Sequence, residues 1–105
     1  MNIDEHLEWL IKFYKQRNWY NYSPFVRMNY LNEEQGELSR AIRTLEVGRD
    51  HPGDPKRNQA QKMDNLKEEL ADNLDQILML CDMYNIKPEE LMNYSENKFR
   101  NRFKK

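Results

Sequence analysis

Two acidic pairs are the residues of this chain best placed to do chemistry. Glu34 and Glu37 are three residues apart, and so are Glu69 and Asp72. Side chains at i and i+3 of an α-helix share a face. Two such pairs on helices packed antiparallel therefore aim four carboxylates into one groove. An all-oxygen donor set suits Mg²⁺ or Mn²⁺ rather than zinc. Magnesium keeps several waters and shares its shell with phosphate oxygens, so a site of this kind implies a phosphorylated substrate, a triphosphate foremost.

The competing reading is that acids at this spacing belong to a solvated helix face. Glu34 argues against it. With residues placed about 100° apart, the apolar stripe of its helix is centred on Leu31, Leu38 and Leu45, and Glu34 falls inside that stripe. Glu37 lies at its edge and Glu33 points largely away. A carboxylate in an apolar stripe must be opened to water, paired, neutralised or bound to a cation, because desolvating it alone is costly. Glu69 and Asp72 sit on one shoulder of the Leu66–Leu70–Ile77 stripe, a flank that Gln76 and Met83 continue. Gly36 is a second oddity: a glycine inside a helix costs about 1 kcal/mol relative to alanine, so it marks either close helix approach or access to the site.

Four helices must carry these groups. The first is predicted from Ile3 to Trp19, capped by Asn2 with Glu5 three residues on. Ser23-Pro24 reads as N-cap and first turn of the second, which carries Met28, Leu31, Leu38, Ala41, Ile42 and Leu45 and stops near Gly48. The stretch Gly48–Gln59 has two prolines, two glycines and no large apolar residue, as expected of a solvated loop. The third helix is expected from Gln61 to Tyr84, with Met63, Leu66, Leu70, Leu74, Ile77, Cys81 and Tyr84 on one face. Pro88 opens the fourth, which runs through Leu91, Met92 and Tyr94 to Phe99 or Phe103. The implied fold is all-α, a four-helix antiparallel bundle whose core oligomerisation completes.

At 105 residues the chain is the size of one domain, residues 1–105. A third of it is charged, yet aromatics are plentiful and apolar residues periodic, the composition of a folded helical domain. A formal net charge of −1 leaves no basic face for duplex nucleic acid, although residues 98–105 are locally basic. No apolar run approaches the ~20 residues of a membrane helix. The one cysteine, Cys81, has no disulfide partner or zinc cluster and reads as a small core residue in a cytoplasmic protein.

Four segments, in order, resemble the MazG-like members of the all-α nucleoside triphosphate pyrophosphohydrolase superfamily. Phe13-Tyr14-Lys15-Gln16-Arg17-Asn18-Trp19 is similar to that family's opening helix and its Arg-x-Trp ending. Leu31-Asn32-Glu33-Glu34-Gln35-Gly36-Glu37-Leu38 resembles its Glu-Glu-x-Gly-Glu-Leu motif, and Glu68-Glu69-Leu70-Ala71-Asp72-Asn73-Leu74 its Glu-Leu-x-Asp-x-Leu motif. Asn97-Lys98-Phe99-Arg100-Asn101-Arg102-Phe103 resembles the closing Lys-Phe-x-x-Arg segment.

The resemblance implies hydrolysis of a nucleoside triphosphate between its α and β phosphates, in a homodimer or homotetramer. It makes Glu34, Glu37, Glu69 and Asp72 the metal ligands, with either Glu34 or Glu37 as general base. Lys98 and Arg102 become phosphate ligands, where position alone makes them a basic helix end facing the macrodipole. Trp19 becomes either a stacking partner for a base or a hydrophobic anchor. The long Gly48–Gln59 loop departs from compact members, as do Asn73 and Asp75, which stand where apolar residues are commoner. A non-catalytic helical module that binds nucleotide or regulates is the alternative, disfavoured because all four ligand types are kept. Nucleic-acid binding through the basic end is a weaker third reading.

Overall fold

Local side-chain chemistry sets where each helix starts and stops. The computed structural model describes residues 1–48, 53 and 56–104. They form α1 (Ile3–Gln16), α2 (Pro24–Val47), α3 (Gln59–Met83) and α4 (Pro88–Arg102), with no strand among the described residues. The expected all-α class is thus observed. Of the expected loop, residues 49–52, 54 and 55 lie outside the described residues. No described helix is long and apolar enough to cross a membrane.

The Asn2 side chain accepts from the Glu5 N–H at 2.8 Å, and the Glu5 carboxylate accepts from the Asn2 N–H at 3.3 Å. This is the reciprocal cap read from the sequence. Helix α1 ends before the expected Trp19 because Asn18 turns left-handed, with φ 60°. The Trp19 N–H then donates to the Tyr14 carbonyl at 2.9 Å, and the Asn18 N–H to that of Lys15 at 3.3 Å, closing a Schellman end. Asn85, at φ 56°, ends α3 in the same way through Ile86 N–H to Cys81 carbonyl at 2.9 Å. Helix α3 starts two residues before the expected Gln61, because Asn58 and Gln61 exchange side-chain bonds at 2.8 and 2.9 Å. Gly48, at φ 110°, stops α2 where expected.

By contacts the chain divides into two compact units. The first comprises Met1–Pro24 and Leu78–Lys105. Its core is Leu7, Leu10, Leu78 and Met79, with Ile3, Ile11, Tyr14 and Tyr20 packed against them. Tyr20 Oη donates to Asp82 Oδ2 at 2.5 Å. Cys81 is buried as expected, and burial raises its thiol pKa above the ordinary value, which leaves it unreactive.

The second unit, Phe25–Ile77, holds most of α2 and α3. Asn73 of α3 bonds to the Glu34 carbonyl of α2. Glu34 lies thirteen residues before the end of α2 (47 − 34), and Asp72 thirteen after the start of α3 (72 − 59). Glu34 and Asp72 are therefore equally far from the connection, the register of an antiparallel pair. Helix α2 turns inward the face of Arg27, Leu31, Glu34, Leu38, Ala41 and Leu45, of which Arg27, Leu31 and Ala41 are buried. Helix α3 turns inward Leu66, Glu69, Asp72, Asn73 and Gln76, all buried or half-buried.

Several residues of the expected apolar stripes stay exposed in the single chain. Met28 and Ile42 of α2, and Met63, Leu70, Leu74 and Ile77 of α3, are exposed, Leu70 at 50%. The acidic shoulder of α3 faces its partner helix and the leucine stripe faces out. Periodicity shows that a helix has an apolar face, but not which neighbour meets it.

Gly36 does not mark close helix approach, since a Cβ there meets nothing within 4 Å. Gly36→Ala is expected to stabilise the chain by about 1 kcal/mol, read as a rise in Tm in the absence of metal. A fall in Tm would show that the open space is used.

Candidate metal centre

Helix α2 carries Glu34 on the same inward face as Leu31 and Leu38, half-buried, while Glu33 is exposed, as its direction on the helix requires. Helix α3 brings Glu69 and Asp72 to the same place. One carboxylate oxygen from each of Glu34, Glu69 and Asp72 lies within 4.8 Å of the others. Oxygens about 2.1 Å from Mg²⁺ stand about 3.0 Å apart when adjacent and about 4.2 Å apart when opposite, so the three oxygens are near enough to be drawn onto one ion by side-chain adjustment. The donors also suit a cation: Glu69 Oε2 and Gln76 Oε1 are buried acceptors with no hydrogen-bond partner among the described residues.

Electrostatics record the strain of this convergence. The Glu34 carboxyl is pushed above its ordinary pKa by burial first, then by the charges of Asp72 and Glu69, a hydrogen bond with Asp72, and the charge of Glu37. Glu69 is raised by burial, then by Asp72, Glu37 and Glu68. Asp72 is raised by burial and by Glu68 and Asp75, while its hydrogen bond with Glu34 pulls the other way. Glu37 is exposed and stands outside the tight cluster, but its charge reaches both Glu34 and Glu69.

Asn73 is the site's unforeseen member. Its buried carboxamide donates to the Glu34 carbonyl at 2.9 Å and to the Glu69 carbonyl at 2.7 Å. The sequence carried a signal for it: an asparagine four residues after Glu69, where apolar side chains are commoner.

The other expected residues lie in the first compact unit. Lys98 and Arg102 share an open groove on α4 with Tyr94, Asn97 and Asn101, and both are exposed. Trp19 packs edge-on against Tyr14, with centroids 5.8 Å apart. It remains 43% exposed, so it is anchored and still offers surface. Arg17 lies 3.5 Å over the Phe13 ring, which stacks on Trp9.

Residues 23–105 match the MazG nucleotide pyrophosphohydrolase domain. The chain belongs to the MazG family. A relative, the uncharacterised protein YvdC of Bacillus subtilis strain 168, is 38% identical over 103 residues, spanning 98% of this chain and 97% of its own. No solved structure matches significantly. The MazG match contains the four carboxylates, Lys98 and Arg102 but begins after Trp19.

Carboxyls with raised pKa bind protons more tightly folded than unfolded, so their contribution to stability is present at low pH and lost as pH rises through the raised range. Without metal, Glu34→Gln is therefore expected to be at least as stable as wild type near pH 7, the gap closing towards about pH 4. Mg²⁺ should stabilise wild type far more than the variant. Thermal denaturation in chelator and in Mg²⁺ across that range measures it; a variant less stable at every pH in chelator would rule out repulsion among the carboxylates.

Proposed function

We propose that residues 1–105 act as one Mg²⁺-dependent domain, Mn²⁺ substituting, that hydrolyses a nucleoside triphosphate, ribo or deoxy, to its monophosphate and pyrophosphate. Control of nucleotide pools or removal of unwanted nucleotides, in the cytoplasm, is the role that fits. The observation that carries the reading is the convergence of Glu34, Glu69 and Asp72 from two helices to within 4.8 Å, in a chain of this family.

Glu34, Glu69 and Asp72 would present the oxygens that hold the cation, with Glu37 the fourth ligand at the edge of the cluster. A bound Mg²⁺ supplies charge to offset the phosphates and to acidify the attacking water. Glu34 or Glu37 takes that water's proton, and in-line attack displaces pyrophosphate. Lys98 contributes a point charge and Arg102 a planar fork to phosphate oxygens, while the exposed surface of Trp19 is open to a base. Cys81 is buried with a raised thiol pKa, which argues against a covalent route.

Leu70, Leu74 and Ile77 form an exposed apolar row on α3, and contiguous exposed apolar surface of this kind marks interaction sites, which supports a homodimer or homotetramer. Light scattering is expected to show an oligomer that Leu74→Glu dissociates. A wild type that is already monomeric would refute this.

Pyrophosphate release from a panel of ordinary and modified triphosphates with Mg²⁺ tests the activity. Glu37→Gln and Asp72→Asn are each expected to lower kcat/KM by roughly 100-fold or more, the scale of losing a general base or a well-placed charge. Variants as active as wild type would move the site elsewhere. Nucleotide binding without cleavage would make the chain a regulatory module instead.

A further inference from the structure

Asn73 stands where the seam between α2 and α3 calls for an apolar side chain. Asparagine there costs helix propensity, and a buried carboxamide is unfavourable unless its donors are satisfied. Both N–H groups of its Nδ2 are used. One reaches the Glu34 carbonyl at 2.9 Å across the helix pair, and the other the Glu69 carbonyl at 2.7 Å within α3. A backbone carbonyl has two lone pairs, so each accepts this bond beside its own helical one. The two carbonyls belong to two of the three residues whose side chains converge on the candidate metal centre.

The seam needs such a tie. Among the described residues its buried apolar side chains are Leu31 and Ala41, and apolar contact is non-directional, so it does not set how far one helix slides along the other. Meanwhile the carboxylates push the helices apart. A directional bond between the backbones at 34 and 69 fixes the register at the ligand-bearing turns. We propose that Asn73 is a positioning residue. Its carboxamide locks the backbone at Glu34 to that at Glu69, so that the carboxylates of Glu34, Glu69 and Asp72 are preorganised to take one divalent cation. This rests on the reading of those residues as the metal site.

The test is Mn²⁺ binding to the full chain, followed by electron paramagnetic resonance, for wild type, Asn73→Leu and Asn73→Ser. Leucine keeps the volume and removes both donors. Serine bonds back to its own helix, keeping a contact with the Glu69 carbonyl but falling short of Glu34. Both are expected to weaken Mn²⁺ binding by roughly 10- to 100-fold, the usual cost of losing a group that orients metal ligands. Circular dichroism should show helix content unchanged, and the metal-free Tm of Asn73→Leu should be close to that of wild type. Unchanged Mn²⁺ affinity beside a lower metal-free Tm would overturn the proposal, leaving Asn73 as interhelix packing. If the leucine variant does not fold, the serine variant is read in its place. Failure of both to fold also overturns it, since the tie would then hold the fold rather than the site. A wild type that binds no Mn²⁺ removes the metal reading itself, an outcome distinct from equal binding by all three.

Discussion

Repulsion among carboxylates is the constraint around which the α2–α3 pair is built. At an effective dielectric constant near 20, two unit charges 4.8 Å apart repel by about 3.5 kcal/mol, before solvent screening. Glu34, Glu69 and Asp72 make three such pairs, and Glu37 adds its field from the edge. That total is comparable with the entire stability of a small domain, about 5–15 kcal/mol. Repulsion of this kind disfavours full ionisation of the three carboxylates together. Every shift at the site is upward, caused by burial first and then by the neighbouring carboxylates. A divalent cation removes the same repulsion without protons, so the arrangement that is strained alone is the one suited to metal.

The cost of this arrangement appears in the rest of the pair. A seam that turns Glu34, Glu69, Asp72, Asn73 and Gln76 inward buries little apolar surface, and Leu70, Leu74 and Ile77 are left facing out. The hydrophobic effect has no preferred direction. It is satisfied equally by a core inside one chain or by contact between chains, which is why a polar site between two helices and an outward apolar stripe belong together. In the other unit the pattern is ordinary: Leu7, Leu10, Leu78 and Met79 meet at a small apolar core, and the lone cysteine is packed and inert.

Much of the fold was legible because its signals are local. Asn2 with Glu5, proline at the starts of α2 and α4, and glycine after α2 act through neighbouring backbone groups, so a few residues suffice to read them. The boundary errors are local too. Asn18 and Asn85 take left-handed φ, a state asparagine tolerates but does not announce, and the Asn58–Gln61 box starts α3 two residues early. The inward faces were harder. Glu34 was placed correctly because a charge inside an apolar stripe is anomalous within its own helix. Glu69 and Asp72 meet α2 as their spacing implied, whereas the leucine stripe of α3 gave a clear face without saying what covers it.

By itself the sequence determined four helices, two acidic pairs at helical spacing, a carboxylate in an apolar position, and motifs sufficient to suggest the family that residues 23–105 proved to match. Each of these depends on residues within a turn or two of one another, or on their order along the chain. Only the tertiary structure decided that Glu34, Glu69 and Asp72 share one site, that Glu37 stands at its edge, and that Asn73 ties their backbones. Those facts depend on the rotation and register of one helix against another. Register is set by contacts between residues about forty positions apart, such as Asn73 and Glu34, a separation over which helical periodicity carries no information.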